Sequence, residues 1–202
     1  EGDISGAIFD FNNDGLSDIF IACSDYPGDR AFLFMQKSDH TFVEVATTTG
    51  IAHKQPQEIT VADFDRDGDL DVVVGSSTAR NTDWKDNYVY YYENIASGFT
   101  NAIEIKLIGE KGKSNLSAIG AKVKVVSGDL IQYKELQGGY GHFGLQNDLI
   151  LHFGLGNNCI VDEIEVIWPD KNRTKQQFKN IYANHLIQIK QDGKLEYLMP
   201  LK

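Results

Sequence analysis

Short apolar runs, each about four to eight residues long, recur along the whole chain between residues that favour turns. Many runs alternate apolar and polar positions, which is the period of a strand with one buried face, and helical periodicity is nearly absent. The pattern predicts strands in the first half at 6–11, 17–22, 31–36 and 41–45, and a second unit from residue 60 to residue 94. It predicts eight strands in the second half at 103–108, 119–126, 130–137, 149–153, 161–168, 174–178, 186–190 and 195–198. The chain is therefore predicted to be all-β.

A change of pattern near residues 95–101 marks a boundary between the two halves. The second unit repeats the first up to residue 94, but where a fourth strand should follow, the chain has Ser97-Gly98-Phe99-Thr100-Asn101 and a new alternating run. We expect residues 1–95 to hold two similar β units, at about 6–46 and 59–95. Eight short strands with Gly-, Asn- and Asp-rich turns predict a β-sandwich over residues 101–202.

The polar stretch between the first two strands of the second unit has the spacing of a loop that wraps a hard cation. In Asp63-Phe64-Asp65-Arg66-Asp67-Gly68-Asp69-Leu70-Asp71, oxygen side chains fall at the first, third, fifth and ninth positions, and glycine is sixth. Alternate residues of such a loop turn inward, glycine permits the sharp bend, and the seventh residue donates its main-chain carbonyl. An EF-hand would place a glutamate on a helix at the twelfth position, where this chain has Val74 within a β-branched run. The pattern predicts a calcium loop between two strands.

The same loop occurs earlier in the chain, as Asp10-Phe11-Asn12-Asn13-Asp14-Gly15-Leu16-Ser17-Asp18. Two copies of a fixed loop with short strands are typical of β-propeller blades. An acidic surface turn is the alternative, but five aspartates within nine residues would repel one another without a counter-ion. We therefore predict two calcium sites, with Leu16 and Asp69 acting through main-chain carbonyls. The predicted ligands are Asp10, Asn12, Asp14, Leu16 and Asp18 in the first loop and Asp63, Asp65, Asp67, Asp69 and Asp71 in the second.

The formal net charge of −10 argues against nucleic acids and anionic membrane surfaces as partners, because both require clustered Lys and Arg. Eight of the 29 acidic residues lie in the two loops, so bound divalent ions would account for much of the acidity. No stretch approaches the roughly 20 apolar residues of a transmembrane helix, and no signal peptide is recognised. The favoured interpretation of Cys23 and Cys159 is that both are buried as small apolar residues, with a disulfide as the alternative.

Through the residues of these two loops, the two repeats resemble VCBS/FG-GAP repeats, which are the calcium-loop blades of integrin-type β-propellers. The second half resembles the ASPIC/UnbV domain, which follows such repeats in cartilage acidic protein-like and bacterial surface proteins. The residues that carry this second resemblance are Ser114-Asn115, Ile119-Gly120-Ala121-Lys122-Val123, Gly138-Gly139-Tyr140, Leu151-His152-Phe153-Gly154-Leu155-Gly156, Val161-Asp162, Val166-Ile167-Trp168-Pro169-Asp170, Asn180 and Asn184. The chain departs from the family at Leu116, where a basic residue is usual, and at Lys171, where a glycine is usual.

The resemblance implies that two blades are part of a larger propeller. Propellers close with about four to eight blades, and two alone would leave sheet faces uncovered. The chain also begins with Glu1 rather than Met, which favours an excised piece. We expect the remaining blades in the same polypeptide or in another subunit.

No nucleophile elbow, Walker loop or His-Glu-x-x-His motif is present, and the five histidines are scattered. His152, on a predicted strand, is interpreted as a hydrogen-bonded structural residue. Candidate ligand-binding residues are Tyr90, on the aromatic strand that also holds Tyr88 and Tyr92, and Tyr140 and His142 in a glycine-rich loop. The alternatives are packing of the tyrosines between blades and a tight glycine turn.

These observations predict a non-catalytic, calcium-binding module for adhesion or surface-complex assembly, extracellular or at a cell surface. In that setting, millimolar calcium keeps modest sites filled. The expected partner is a protein or a glycan at a cell surface, with no direct membrane insertion. The alternative is a glycan-binding accessory subunit of an extracellular enzyme or outer-membrane uptake complex. A hydrolase is disfavoured because the sequence shows no catalytic constellation.

Overall fold

A computed structural model describes residues 2–80, 88–95, 98, 100–139 and 145–201. Over these ranges the chain is almost entirely strand, and the all-β prediction is confirmed. The elements are β1 (Asp3–Phe9), β2 (Asp18–Cys23), β3 (Phe32–Gln36), β4 (Phe42–Glu44), α1 (Ala46–Thr49), β5 (Pro56–Ala62), β6 (Asp71–Ser76), β7 (Val89–Tyr92), β8 (Asn101–Ile108), β9 (Lys122–Ser127), β10 (Leu130–Glu135), β11 (Ile150–Gly156), β12 (Ile160–Ile167), β13 (Lys175–Tyr182), β14 (His185–Lys190) and β15 (Leu195–Pro200).

The first half forms two antiparallel sheets, each with its strands in chain order. The first sheet is β1-β2-β3-β4 and the second is β5-β6-β7. Alternation along the strands turns one face of each sheet toward the other, so that a single apolar core lies between them. The buried residues of this core are Ala7, Phe9, Phe11, Phe20, Ala22, Ala31, Leu33, Ala46, Ile51, Ile59, Val61, Leu70, Val72 and Val74.

Each sheet begins with the same hairpin, whose connection is one of the two acidic loops. In the first hairpin, Phe9 pairs with Asp18 across the mouth of the loop. In the second hairpin, the pair at the same place is Ala62 with Asp71. The repeat seen in the sequence is therefore also a repeat of strand register.

The second half forms two four-stranded sheets, in the orders β10-β9-β12-β13 and β11-β8-β14-β15. All pairs are antiparallel except β8 with β14, which run parallel with Ile103 opposite His185. The inner faces of the two sheets share one core, whose largest fully buried side chain is Trp168. All eight strands predicted for this half are present, with shifted ends.

Three details differ from the sequence-based expectation. A helical turn, α1, follows β4 where the sequence predicts no helix; its Ala46 is fully buried, and Gly50, with φ 82°, ends the turn. Strand β13 runs on to Tyr182, which pairs with Ile160 of β12. Cys23 is buried but Cys159 is exposed, and no disulfide joins them, so the expectation that both are buried was wrong for Cys159. Helical segments in the described ranges are too short to cross a lipid bilayer.

Candidate metal centres

The two acidic loops share one backbone conformation. The fourth residue of each loop is left-handed, with φ 58° at Asn13 and 63° at Arg66. The sixth residue of each is a glycine in the same region, with φ 87° at Gly15 and 96° at Gly68. Glycine adopts this region at the lowest cost because it has no Cβ, so the sixth position carries the sharp bend that the sequence predicts.

The first aspartate of each loop is held by main-chain donors from the loop itself. Asp63 accepts hydrogen bonds from the N–H groups of Arg66 at 2.6 Å and Gly68 at 2.9 Å. Asp10 is held in the same way, with the N–H of Gly15 at 2.8 Å from its Oδ2. Both aspartates are buried. The loop therefore folds around the first carboxylate.

The aspartate at the ninth position of each loop connects the hairpin to the third strand of its sheet through hydrogen bonds. Asp71 accepts from the N–H of Phe64 at 3.0 Å and from that of Asn94, just beyond β7, at 2.8 Å. Asp18 accepts from the N–H of Gln36, at the end of β3, at 2.7 Å. Both side chains are fully buried.

The second loop brings three carboxylates close enough to share one ion. Oxygens of Asp63, Asp65 and Asp71 lie within 4.8 Å of one another. In the first loop, the third position is Asn12, whose Nδ2 donates to Asp14 at 3.0 Å. Carboxylate, amide and carbonyl oxygens at this spacing form the ligand set that calcium prefers. The residues present therefore fit a calcium ion.

Without a bound cation, the environment of the loop carboxylates disfavours their ionised form. Burial, together with the charges of Asp14 and Asp18, raises the pKa of Asp10 to about 7. In the second loop, burial raises the pKa of Asp67 to about 6, helped by the neighbouring aspartates, and burial also raises the pKa of Asp63. A divalent cation would favour the ionised carboxylates and remove this penalty.

The ten predicted ligands all lie in these two hairpin loops. The predicted ligand-binding residue Tyr90 is half-buried, with its ring 4.6 Å from that of the buried His53. Tyr92 contacts the same imidazole, with its hydroxyl 2.7 Å from Nδ1. Both tyrosines therefore pack on the inner side of β7, whereas Tyr88 is exposed. Tyr140 and His142 lie outside the described residues.

Sequence reasoning missed that the fourth residue of each loop makes contacts outside its own loop. The side-chain Nδ2 of Asn13 donates to the Gly68 carbonyl at 3.0 Å and to Asp69 at 2.8 Å, so the two loops touch. Arg66 instead reaches the second half, where its guanidinium donates to Glu104 at 2.8 Å and meets Asp148 at 3.4 Å. In the sequence, the one feature that these two residues share is the fourth position of the loop.

Strand β11 of the second half lies directly against both loops. The His152 Nε2–H donates to the Gly68 carbonyl at 2.9 Å, which fixes the neutral tautomer, and burial lowers the pKa of His152 to about 3. The N–H of Gly156 donates to the Asn13 carbonyl at 2.7 Å. The half-buried Lys134 donates to the His152 carbonyl at 2.6 Å, and desolvation lowers its pKa to about 8. The expected structural role of His152 agrees with these contacts.

Two family models match consecutive parts of the chain. Residues 10–74 match the FG-GAP-like repeat, and residues 110–196 match the ASPIC and UnbV family. Cartilage acidic protein 1 of Xenopus tropicalis is 41% identical over 66 residues, which is 32% of this chain and 10% of that protein. The human protein of the same name is 40% identical over 62 residues, or 30% of this chain and 9% of that protein. These matches span about a tenth of the relatives' length.

A crystal structure of a candidate cell adhesion protein from Bacteroides uniformis aligns with 98% of this chain and 91% of its own, at 11% identity and a TM-score of 0.28. The FG-GAP-like model covers both acidic loops, and the ASPIC and UnbV model covers strand β11. The chain therefore contains an FG-GAP-like repeat segment, over residues 10–74, followed by an ASPIC/UnbV domain, over residues 110–196.

Proposed function

We propose that this chain is a non-catalytic, calcium-stabilised module for adhesion or surface-complex assembly, and that it acts extracellularly or at a cell surface. The observation that carries the proposal is the duplicated loop, with the same left-handed positions in both copies and three carboxylates converging in the second. Calcium would neutralise the clustered aspartates and hold the hairpins rigid, so that binding free energy becomes folding free energy.

The outer face of the first sheet supports the assembly part of the proposal. Ile8 is 73% exposed and Phe42 is 43% exposed on this face. Further apolar side chains that are only partly buried surround them, namely Ile19, Ile21, Phe32 and Phe34. A contiguous apolar sheet face of this kind marks an interaction surface. The partner proposed for it is a further blade of the same polypeptide or the β-sheet of another protein.

Calcium titration by calorimetry, combined with thermal unfolding with calcium and with a chelator, tests the proposal. We expect two bound ions. At a calcium concentration of about 100 Kd, each site adds about 2.7 kcal/mol, so chelation should lower Tm by roughly 10–20 °C. Asp65→Asn should abolish one site, whereas Asp129→Asn, in an exposed turn of the second half, should match the wild type. No binding heat and an unchanged Tm would refute the calcium role.

A further inference from the structure

We propose that calcium binding by the two loops is thermodynamically linked to docking of the second half onto them, with Asn13, Arg66 and the loop-facing side of β11 as the positioning residues. This inference rests on the proposed calcium binding. It adds that the ASPIC/UnbV domain senses the occupancy of the FG-GAP-like loops, and that its own contacts set their affinity.

The alternation of β11 creates the docking face. Phe153 and Leu155 are fully buried in the core of the second half. Their neighbours His152, Gly154 and Gly156 therefore point to the opposite side, where both loops lie. The motif that carries the family resemblance thus has one set of residues for its own core and another for the loops.

Gly154 shows how close this approach is. A methyl group on its Cα would overlap the Asp10 carboxylate and would lie 2.6 Å from the Asn13 Cα. No residue with a side chain fits there while the first loop is docked. The first aspartate of the first loop, a predicted ligand, is therefore in direct contact with the second half.

Asn13 joins three parts of the molecule. It is 1% exposed, its side-chain amide binds the second loop, and its carbonyl accepts from Gly156 of β11. These contacts require the left-handed backbone that the loop gives to its fourth residue. Ligands on either side of that residue hold this backbone in place when they share an ion.

Arg66 makes the corresponding connection from the second loop. Its guanidinium pairs with the buried carboxylate of Glu104 on β8, and Glu104 sits directly across the sheet from His152. Without a cation, repulsion among the loop aspartates favours opening of the loop. An open loop would displace Arg66 and Asn13 and remove the hydrogen-bond acceptors of His152 and Gly156.

Linkage is reciprocal, so weakening the docking contacts must weaken calcium binding. The test changes residues that are neither ligands nor charged. His152→Leu removes the hydrogen bond to Gly68, and Asn147→Ala removes the bonds that its Oδ1 accepts from Thr60 and Val61 on β5. The matched controls are His185→Leu and Asn158→Ala, which break hydrogen bonds inside the second half.

We expect calorimetry to give a calcium affinity about five-fold or more weaker for each test variant, and no change for the controls. In the wild type, the Gly156 amide reports docking because it donates to Asn13. Chelation should speed its hydrogen exchange by at least about five-fold, while the Ala183 amide, bonded to Cys159 within the second half, keeps its rate.

The outcomes separate the two proposals. A wild type that binds no calcium would refute the proposed function. A wild type that binds calcium, together with test variants of unchanged affinity or a Gly156 amide indifferent to chelation, would overturn the linkage alone. If His152→Leu fails to give a folded near-ultraviolet dichroism spectrum, Asn147→Ala provides the test, because the bonds that it removes go to Thr60 and Val61 of β5 and not to the loops.

Discussion

Two aspartates of the second loop should respond differently to the same substitution. Asp71 is fully buried and accepts hydrogen bonds from the N–H groups of Phe64 and Asn94 and from the hydroxyl of Tyr91 at 3.0 Å. Asparagine in its place keeps one acceptor oxygen and turns an NH₂ group toward a donor. A buried donor left unpaired costs about 1–3 kcal/mol, and the remaining bonds lose their charge assistance. We expect Asp71→Asn to cost about 2–4 kcal/mol even in chelator.

Asp65→Asn should behave as the loss of a ligand alone. Asp65 has a carboxylate oxygen within 4.8 Å of those of Asp63 and Asp71, but its side chain accepts no hydrogen bond from the described residues. In chelator the variant should therefore lose no stability, and relief of the repulsion from Asp63 and Asp71 should raise the free energy of unfolding by up to about 1 kcal/mol. With calcium at about 100 Kd, the variant should lose the contribution of one site, about 2.7 kcal/mol.

Urea unfolding of both variants, in calcium and in chelator, measures the two effects separately. Asp129→Asn serves as the control for a carboxylate outside the loops. The reasoning is refuted for the ninth position if Asp71→Asn in chelator is as stable as the wild type. It is refuted for the third position if Asp65→Asn loses as much stability in chelator as in calcium.

Three further substitutions test other parts of the structure. Hydrogen bonds from Ser77 and ion pairing with Arg80 hold the pKa of the buried Asp25 below its usual value. The ionised carboxylate therefore stabilises the fold above about pH 4, and this stabilisation is lost on acidification. Asp25→Asn should make the urea midpoint fall less steeply below that pH. Trp168→Phe breaks the indole bond to Gln176 at 2.9 Å and should cost about 1–2 kcal/mol by urea unfolding, with no effect on calcium affinity. An apolar face left uncovered in the isolated chain favours self-association. Ile8→Glu should therefore lower self-association in sedimentation analysis relative to the wild type and leave Tm within about 2 °C, because the side chain is 73% exposed. Self-association equal to that of the wild type would argue against this face as an interaction surface.

The local features of the fold could be predicted from sequence because each depends on neighbours in the chain. Alternation located the strands, and the spacing from Asp63 to Asp71 gave the bend at Gly68 that the structure has. The helical turn at Ala46 was missed because its cause is burial against β3, which is not written in the residues Thr47 to Gly50 themselves.

The contacts between the halves could not be predicted, because they join residues far apart in sequence. Asn13 and Arg66 look like solvent-facing loop residues, and only the folded chain brings them to Gly156 and Glu104. His152 was expected to be structural, but its partner, the Gly68 carbonyl, is a main-chain atom that no side-chain pattern identifies.

The parallel pairing of β8 with β14 imposes an order on folding. Five strands, β9 to β13, lie between these two in the chain, so the centre of their sheet closes only after the last strands have been made. Closing so long a loop is slow, whereas the hairpins of the first half need only local contacts. During synthesis the acidic loops should therefore form before the strands of the second half that they contact. In refolding experiments we expect a fast phase from the hairpins, followed by a slower phase as β14 joins β8.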